Sequence, residues 1–180
     1  RVKLYSVPKD AIQKGFLHEL IRKEPSLGVV CNSNGSDQIA YEIVKNIEYN
    51  FPLGNDFSFF CNSIPKFFTT VPFAVFHTYS LADYSGDLIA MEVNDVFDAK
   101  RCAGLNKLVF YVRDLCMINK LNRDYFCEIM SDSKVIKVFA SEMYLKMALE
   151  IFSDVPFSNV SKKYMEKFDY QKILSILNED

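Results

Sequence analysis

Apolar residues fall along this chain in two textures: short unbroken runs, and longer stretches at helical spacing. Residues 108–112 (Leu-Val-Phe-Tyr-Val) are five apolar positions with no polar alternation, which predicts a strand buried on both faces of a sheet. The run stops abruptly on Arg113-Asp114. Residues 27–31, 57–61, 73–78, 87–91 and 135–140 repeat the texture, and 1–7 and 159–160 predict shorter outer strands. Between the runs, Ile39, Ala40, Ile43, Val44 and Ile47 follow the i, i+3, i+4, i+7 spacing of a helix laid on a sheet. Ile12, Phe16, Leu17, Leu20 and Ile21 mark an earlier helix. Asn94 is read as the cap of a helix with Val96 and Phe97 inward and Gly104 as its terminator. Further helices are predicted at 122–130, at 142–152 with Tyr144, Met147, Ala148, Ile151 and Phe152 aligned, and at 169–177 with Tyr170, Ile173, Leu174 and Leu177 on one face.

Strands alternating with helices of these lengths predict an α/β fold: a three-layer, Rossmann-like domain with a mainly parallel sheet. No internal repeat or long linker divides the chain, so residues 1–180 read as a single domain, with 1–26 as an N-terminal extension and 161–180 holding the C-terminal helix.

A chain of 180 residues can bury a substantial core, and 16 Phe and 10 Tyr make that core bulky. A net charge of −2 gives no bulk-charge case for nucleic-acid binding. No run approaches the roughly 18 apolar residues of a membrane span, and no signal-peptide core is seen, so the expected setting is cytoplasmic, without a membrane partner. Five cysteines, an odd number without CxxC or Cys/His spacing, are expected to be reduced and mostly buried. No metal site is expected.

Open α/β sheets bind ligands beyond the carboxyl ends of their strands, so candidate chemistry is sought where the apolar runs stop. Asn32, Ser33, Asn34, Gly35 and Ser36 follow one run and precede a helix, where amides and hydroxyls can cradle a phosphate. The segment is neither GxGxxG nor a P-loop, and a plain capped turn is the competing reading. His77 and Tyr79 close another run; His77 is a candidate general base, or a histidine satisfied by a nearby carbonyl. Asp83, Asp87, Glu92, Asp95 and Asp98 read as first-turn charges and a solvated face, with Glu92 best placed to line a cleft. Arg113 suits a phosphate or carboxylate, while Asp114 is its ion-pair partner or a cap. Ser141 reads as an N-cap, with Glu142 beside it. Phe67, Phe68, Tyr79 and Tyr84, in predicted loops, supply material for an interface.

The order of Pro72-Phe73-Ala74-Val75, Gly86-Asp87-Leu88-Ile89-Ala90, Phe110-Tyr111-Val112-Arg113-Asp114-Leu115 and Ala140-Ser141-Glu142 resembles a group of phage-encoded glycosyltransferase-like proteins. In that group a Tyr-Val-Trp-Asp-Leu-Glu-Trp motif follows one strand and Arg-Ser-Glu ends the next. Asp114, Ser141 and Glu142 match by position; Arg113, Cys116, Met117 and Ala140 depart from the motifs. The likeness covers roughly residues 27–160 and implies one half of a GT-B fold. It further implies a nucleotide-sugar as donor substrate, with no separate cofactor, and an acceptor such as a hydroxymethylated base in DNA. By this resemblance a carboxylate (Asp114 or Glu142) or His77 deprotonates the acceptor hydroxyl, with residues 32–36, Tyr79, Glu92, Arg113 and Ser141 lining the cleft. A GT-B enzyme needs two such domains, so the resemblance implies a fragment, a reduced relative that has lost catalysis, or a chain that works with a protein partner or as a homo-oligomer. The alternative from another class is a non-catalytic phage module that engages a host or phage protein. A third is a flavodoxin-like phosphate or flavin binder using Ser33 to Ser36.

Overall fold

The computed structural model describes residues 26–32, 37–50, 57–62, 73–118 and 122–179. The predicted 1–7 strand, the helix from Ile12 to Ile21, Ser33, Asn34, Gly35, Ser36, Phe67 and Phe68 lie outside the described residues.

Among the described residues six strands form one sheet: β1 (Ser26–Val30), β2 (Phe57–Cys61), β3 (Ala74–His77), β4 (Ser85–Ala90), β5 (Gly104–Val112) and β6 (Val135–Phe139). Every neighbouring pair is parallel, in the order β3-β2-β1-β4-β5-β6. The chain steps outward from β1 to β3, returns to the other side of β1, and steps outward again through β6. This doubly wound order is the Rossmann-like arrangement the alternating runs predict.

Helices cover both faces, which is why the strand runs lack polar alternation. Val29, Phe59, Ile89, Val109 and Val138 pack toward α1 (Asp37–Asn50) and α5 (Tyr170–Leu177), meeting Ile43, Ile47, Ile173 and Ile176. Val30, Phe60, Leu88, Phe110 and Phe139 pack toward α2 (Val93–Ala99), α3 (Arg123–Ser131) and α4 (Glu142–Ile151), meeting Val96, Phe126, Ile129 and Ala148. Each such side chain contributes about 1.5–3 kcal/mol of burial, so the two layers together hold the sheet.

Several expectations are corrected. Gly104 does not end a helix. α2 stops at Ala99 with Lys100 as its C-cap, and Gly104 opens β5, where a Cβ would lie 2.8 Å from the Tyr84 carbonyl oxygen. Glu92, not Asn94, occupies the N-cap position. On α4, Ala148 and the adjoining Phe152 are buried, but Met147 and Ile151 are 41% and 54% exposed. That helix touches the sheet along a narrower stripe than its apolar residues suggest. The acidic stretch is not a uniformly solvated face either. Asp87 is buried and accepts from Asn106 Nδ2 (2.8 Å) and the Lys107 amide (3.0 Å), while Asp95 is wholly buried. The predicted loop at 79–84 is a 3-10 turn, Thr78–Asp83, and Tyr84 after it packs inward. Its half-buried ring meets Phe60 edge-on at 5.1 Å and its hydroxyl donates to the Asp87 carbonyl. Of the cysteines, Cys31, Cys61 and Cys102 are buried, Cys127 is half-buried and Cys116 is exposed; none is in a disulfide.

The outer edge of β6 is covered by the chain that follows α4. The predicted strand at 159–160 reduces to one parallel bridge, Lys137 with Val160. Lys137 N–H donates to the Asn159 carbonyl (2.9 Å), Ser161 N–H to the Lys137 carbonyl (2.8 Å), and Met165 N–H to the Phe139 carbonyl (3.0 Å). Lys137 has no exposed surface. Its Nζ donates to the carbonyls of Asp132 and Ser158 (2.8 Å to the latter) and to Ser158 Oγ (3.3 Å). Burial lowers the pKa of this ammonium to about 8.

Candidate functional site

Because every strand runs the same way, six polar residues follow the strand ends along one rim. In sheet order they are Thr78, Asn62, Asn32, Glu92, Arg113 and Ser141. Strands lie about 4.8 Å apart, so Asn32 and Ser141 stand about 14 Å from each other and His77 and Ser141 about 24 Å. The rim therefore holds two separate groups.

The first surrounds the switch point between β1 and β4, where the winding reverses and Rossmann-like folds place their crevice. Asn32 is its hub. Its amide N–H donates to Asp95 Oδ1 (3.2 Å), its Nδ2 to Asp98 Oδ2 (3.0 Å), and its Oδ1 accepts from the Asn62 amide (2.8 Å). The Thr78 hydroxyl donates in turn to Asn62 Oδ1. The carboxyl ends of β1, β2 and β3 are thus laced to one another and to α2. Among the described residues Asp95 Oδ2 has no hydrogen-bond partner. Desolvation, with help from the neighbouring Glu92 and Asp98, holds the Asp95 carboxyl well above the usual carboxylate range. His77 ends β3, accepts from the Tyr79 amide at Nδ1 (3.3 Å) and stacks on the Tyr79 ring at 4.4 Å. Both of these side chains are exposed.

The second group stands at the ends of β5 and β6. Arg113 Nε lies 3.5 Å from Asp114 Oδ2, and Asp114 Oδ1 accepts from the Cys116 amide (2.8 Å), so this carboxylate caps the turn after β5. Ser141 Oγ accepts from the Tyr144 amide (3.3 Å), the cap its position predicts. Glu142 is exposed and pairs with Lys146 at 2.8 Å. Beside them opens a cavity of about 570 Å³ whose lining includes Ser141, Glu142, Tyr164, Lys167, Asp169 and Lys172. That volume falls in the range of small-molecule sites.

The cavity wall is held to the sheet from below. The Tyr111 hydroxyl donates to the Met165 carbonyl (2.6 Å), and the Tyr170 amide donates to Asn46 Oδ1 (2.9 Å) on α1. Asp169 Oδ1 accepts from the Lys172 amide (3.1 Å) and caps α5. Lys167 and Lys172 make no ion pair among the described residues. Tyr111→Phe is expected to lower stability by about 1–2 kcal/mol in urea unfolding, since the Met165 carbonyl is then left buried without a donor. An unchanged midpoint would show that this tie contributes nothing.

The strand-end rule places Asn32, His77, Glu92, Arg113 and Ser141 on the rim, but it does not bring His77 and Tyr79 near Ser141 and Glu142. Asn62, which the sequence reading passed over, directly follows the 57–61 run, and the same rule finds it. Tyr164, Lys167 and Lys172 carry no such signal. No family model, curated protein or solved structure matches the chain, so the class it belongs to is given by its fold: a Rossmann-like α/β sheet with its polar residues along the carboxyl rim. Among the described residues no cluster of His, Cys, Asp and Glu suits a metal ion, and no helix is long and apolar enough to cross a membrane.

Proposed function

We propose that the chain is a glycosyltransferase-like module that binds a nucleotide-sugar at its carboxyl rim, seated in the cavity beside Ser141. One observation carries the reading: Ser141 and Glu142, the residues that match the Ser-Glu of the resemblance, line a cavity shared with Lys167 and Lys172, which make no ion pair among the described residues, and with the carboxylates of Glu166 and Asp169. Lysines and helix N-termini are suited to a diphosphate, and the first residues of α4 and the cap of α5 both border this space. In this reading Lys167 and Lys172 hold the leaving diphosphate, and Glu142 is the carboxylate placed to take the proton of an acceptor hydroxyl. Asp114 has both oxygens engaged and orients Arg113, while His77 stands too far along the rim to act on the same bond.

UDP- and GDP-sugars at millimolar concentration are expected to raise the melting temperature, with the rise growing with ligand as mass action requires. The double variant Lys167→Ala, Lys172→Ala is expected to melt like the parent without ligand and to lose the rise. No response to any sugar nucleotide, alone or with duplex DNA, would sink the reading.

The non-catalytic interaction module stays the second reading because Met143, Met147 and Ile151 form an exposed apolar ridge at i, i+4 spacing on α4. It gains ground if the nucleotides leave the melting curve unmoved.

A further inference from the structure

Cys31 and Cys61 stand side by side at the ends of adjacent strands. The β1–β2 register sets Val30 against Phe60, and the Cys31 amide donates to the Phe60 carbonyl (2.9 Å), which carries the ladder one step further and puts Cys31 opposite Cys61. Leu27, Val29 and Cys31 share one core layer with Phe57, Phe59 and Cys61, so both thiols lie on the same face of the sheet. Burial pushes the Cys61 thiol up to about 11, and the neighbouring Cys31 adds to the rise. We propose that this pair is a redox-modification site, at which a small hydroperoxide joins Cys31 to Cys61 in a reversible disulfide across the β1–β2 seam.

In-register neighbours on parallel strands have Cα atoms about 4.8 Å apart, inside the range of about 4.4–6.8 Å that disulfides span. Their Cβ atoms start at about the strand spacing and must close by about 1 Å. Cys61 Sγ lies 3.9 Å from the Phe76 carbonyl on the other side, so it turns from β3 toward β1 as the bond forms. Both movements leave strain in the bridge, and strained disulfides are the ones that thiols reduce readily. Cys31, 6% exposed against 2% for Cys61, is the attacking residue. Its thiolate attacks one oxygen of hydrogen peroxide, the O–O bond breaks, and the other oxygen leaves as water, which gives a sulfenic acid. The Cys61 sulfur then attacks the Cys31 sulfur, the S–O bond breaks and a second water leaves. Each bridge takes two electrons and two protons from the thiols and turns one peroxide into two waters. Asn32 and Asn62, the next residue on each side, already join through the Asn62 amide (2.8 Å), so the bridge tightens this seam at the switch point.

Folded, unaltered protein is treated with hydrogen peroxide, quenched in denaturant with an alkylating reagent, digested and read by mass spectrometry. The linked Cys31–Cys61 peptide is expected to exceed every other cysteine pairing by about tenfold or more, and dithiothreitol to return both thiols to alkylation. Exposed Cys116 reports that the oxidant has acted. The same treatment in urea removes the strand register, and the preference for this pair is expected to vanish with it. Cys61→Ser is expected to leave Cys31 as a sulfenic or sulfinic acid, bridged to no other cysteine. If that variant fails to fold, the unaltered protein decides alone. Cys116 oxidised while Cys31 and Cys61 both stay open to alkylation, or Cys31 joined to another cysteine as often as to Cys61, would overturn the site.

Discussion

Lys137→Met is expected to destabilise the protein by about 2–4 kcal/mol, read from the urea midpoint. The methionine fills the same space, but the carbonyls of Asp132 and Ser158 lose their common donor inside the protein, at about 1–3 kcal/mol each. Relief from burying the ammonium offsets part of that loss. The pH dependence separates the two terms. Unfolded, the lysine keeps its proton to about 10.4; folded, it gives the proton up near 8. Between those values the unfolded chain binds more protons, so the stability of the unaltered protein rises with pH relative to the methionine variant, by as much as about 1.4 kcal/mol per pH unit. A difference between the two proteins that stays flat across that window would show that the ammonium is not burdened by its burial.

The second large effect concerns two glycines that differ in what surrounds them. A Cβ on Gly104 meets the Tyr84 carbonyl oxygen at 2.8 Å and the Ser85 Cα at 2.9 Å, which are backbone atoms of the crossing into β4. A Cβ on Gly28 meets Leu88 Cδ2 at 2.7 Å and Phe60 Cε2 at 3.0 Å, which are side-chain ends that can turn aside. Gly104→Ala is therefore expected to cost about 3 kcal/mol or more, because two strands must separate, and Gly28→Ala about 1–2 kcal/mol. Equal losses in calorimetric or urea unfolding would show that β4 and β5 yield more easily than their close approach suggests.

How far the sequence could be read follows from the same residues. Strands buried on both faces announce themselves as unbroken apolar runs, which is why 57–61 coincides with β2 and 108–112 with the far half of β5. The near half of β5 was illegible. Asn106 and Lys107 look like loop residues, yet they sit in the strand because one serves the buried Asp87 and the other reaches the Leu177 carbonyl at 2.6 Å. Burial of Lys137 and Asp95 was hidden for a related reason: a charge inside a run or on a short helix reads as exposed until its partners, or their absence, are seen. The rim residues were legible through the parallel sheet alone. Lys167 of the cavity was not, since the irregular chain between α4 and α5 has no periodicity to say which way a residue faces, and Lys172 reads only as a polar position of α5.

The covering of β6 carries a consequence for association. A bare terminal ladder is a template on which a foreign strand can add, and here the backbone of Lys137 and Phe139 is already spent on Asn159, Ser161 and Met165. A visitor arriving on that flank must first peel the native tail away, and Lys137, through Ser158, resists the first step of the peeling. The flank is thereby closed to fibre-like growth.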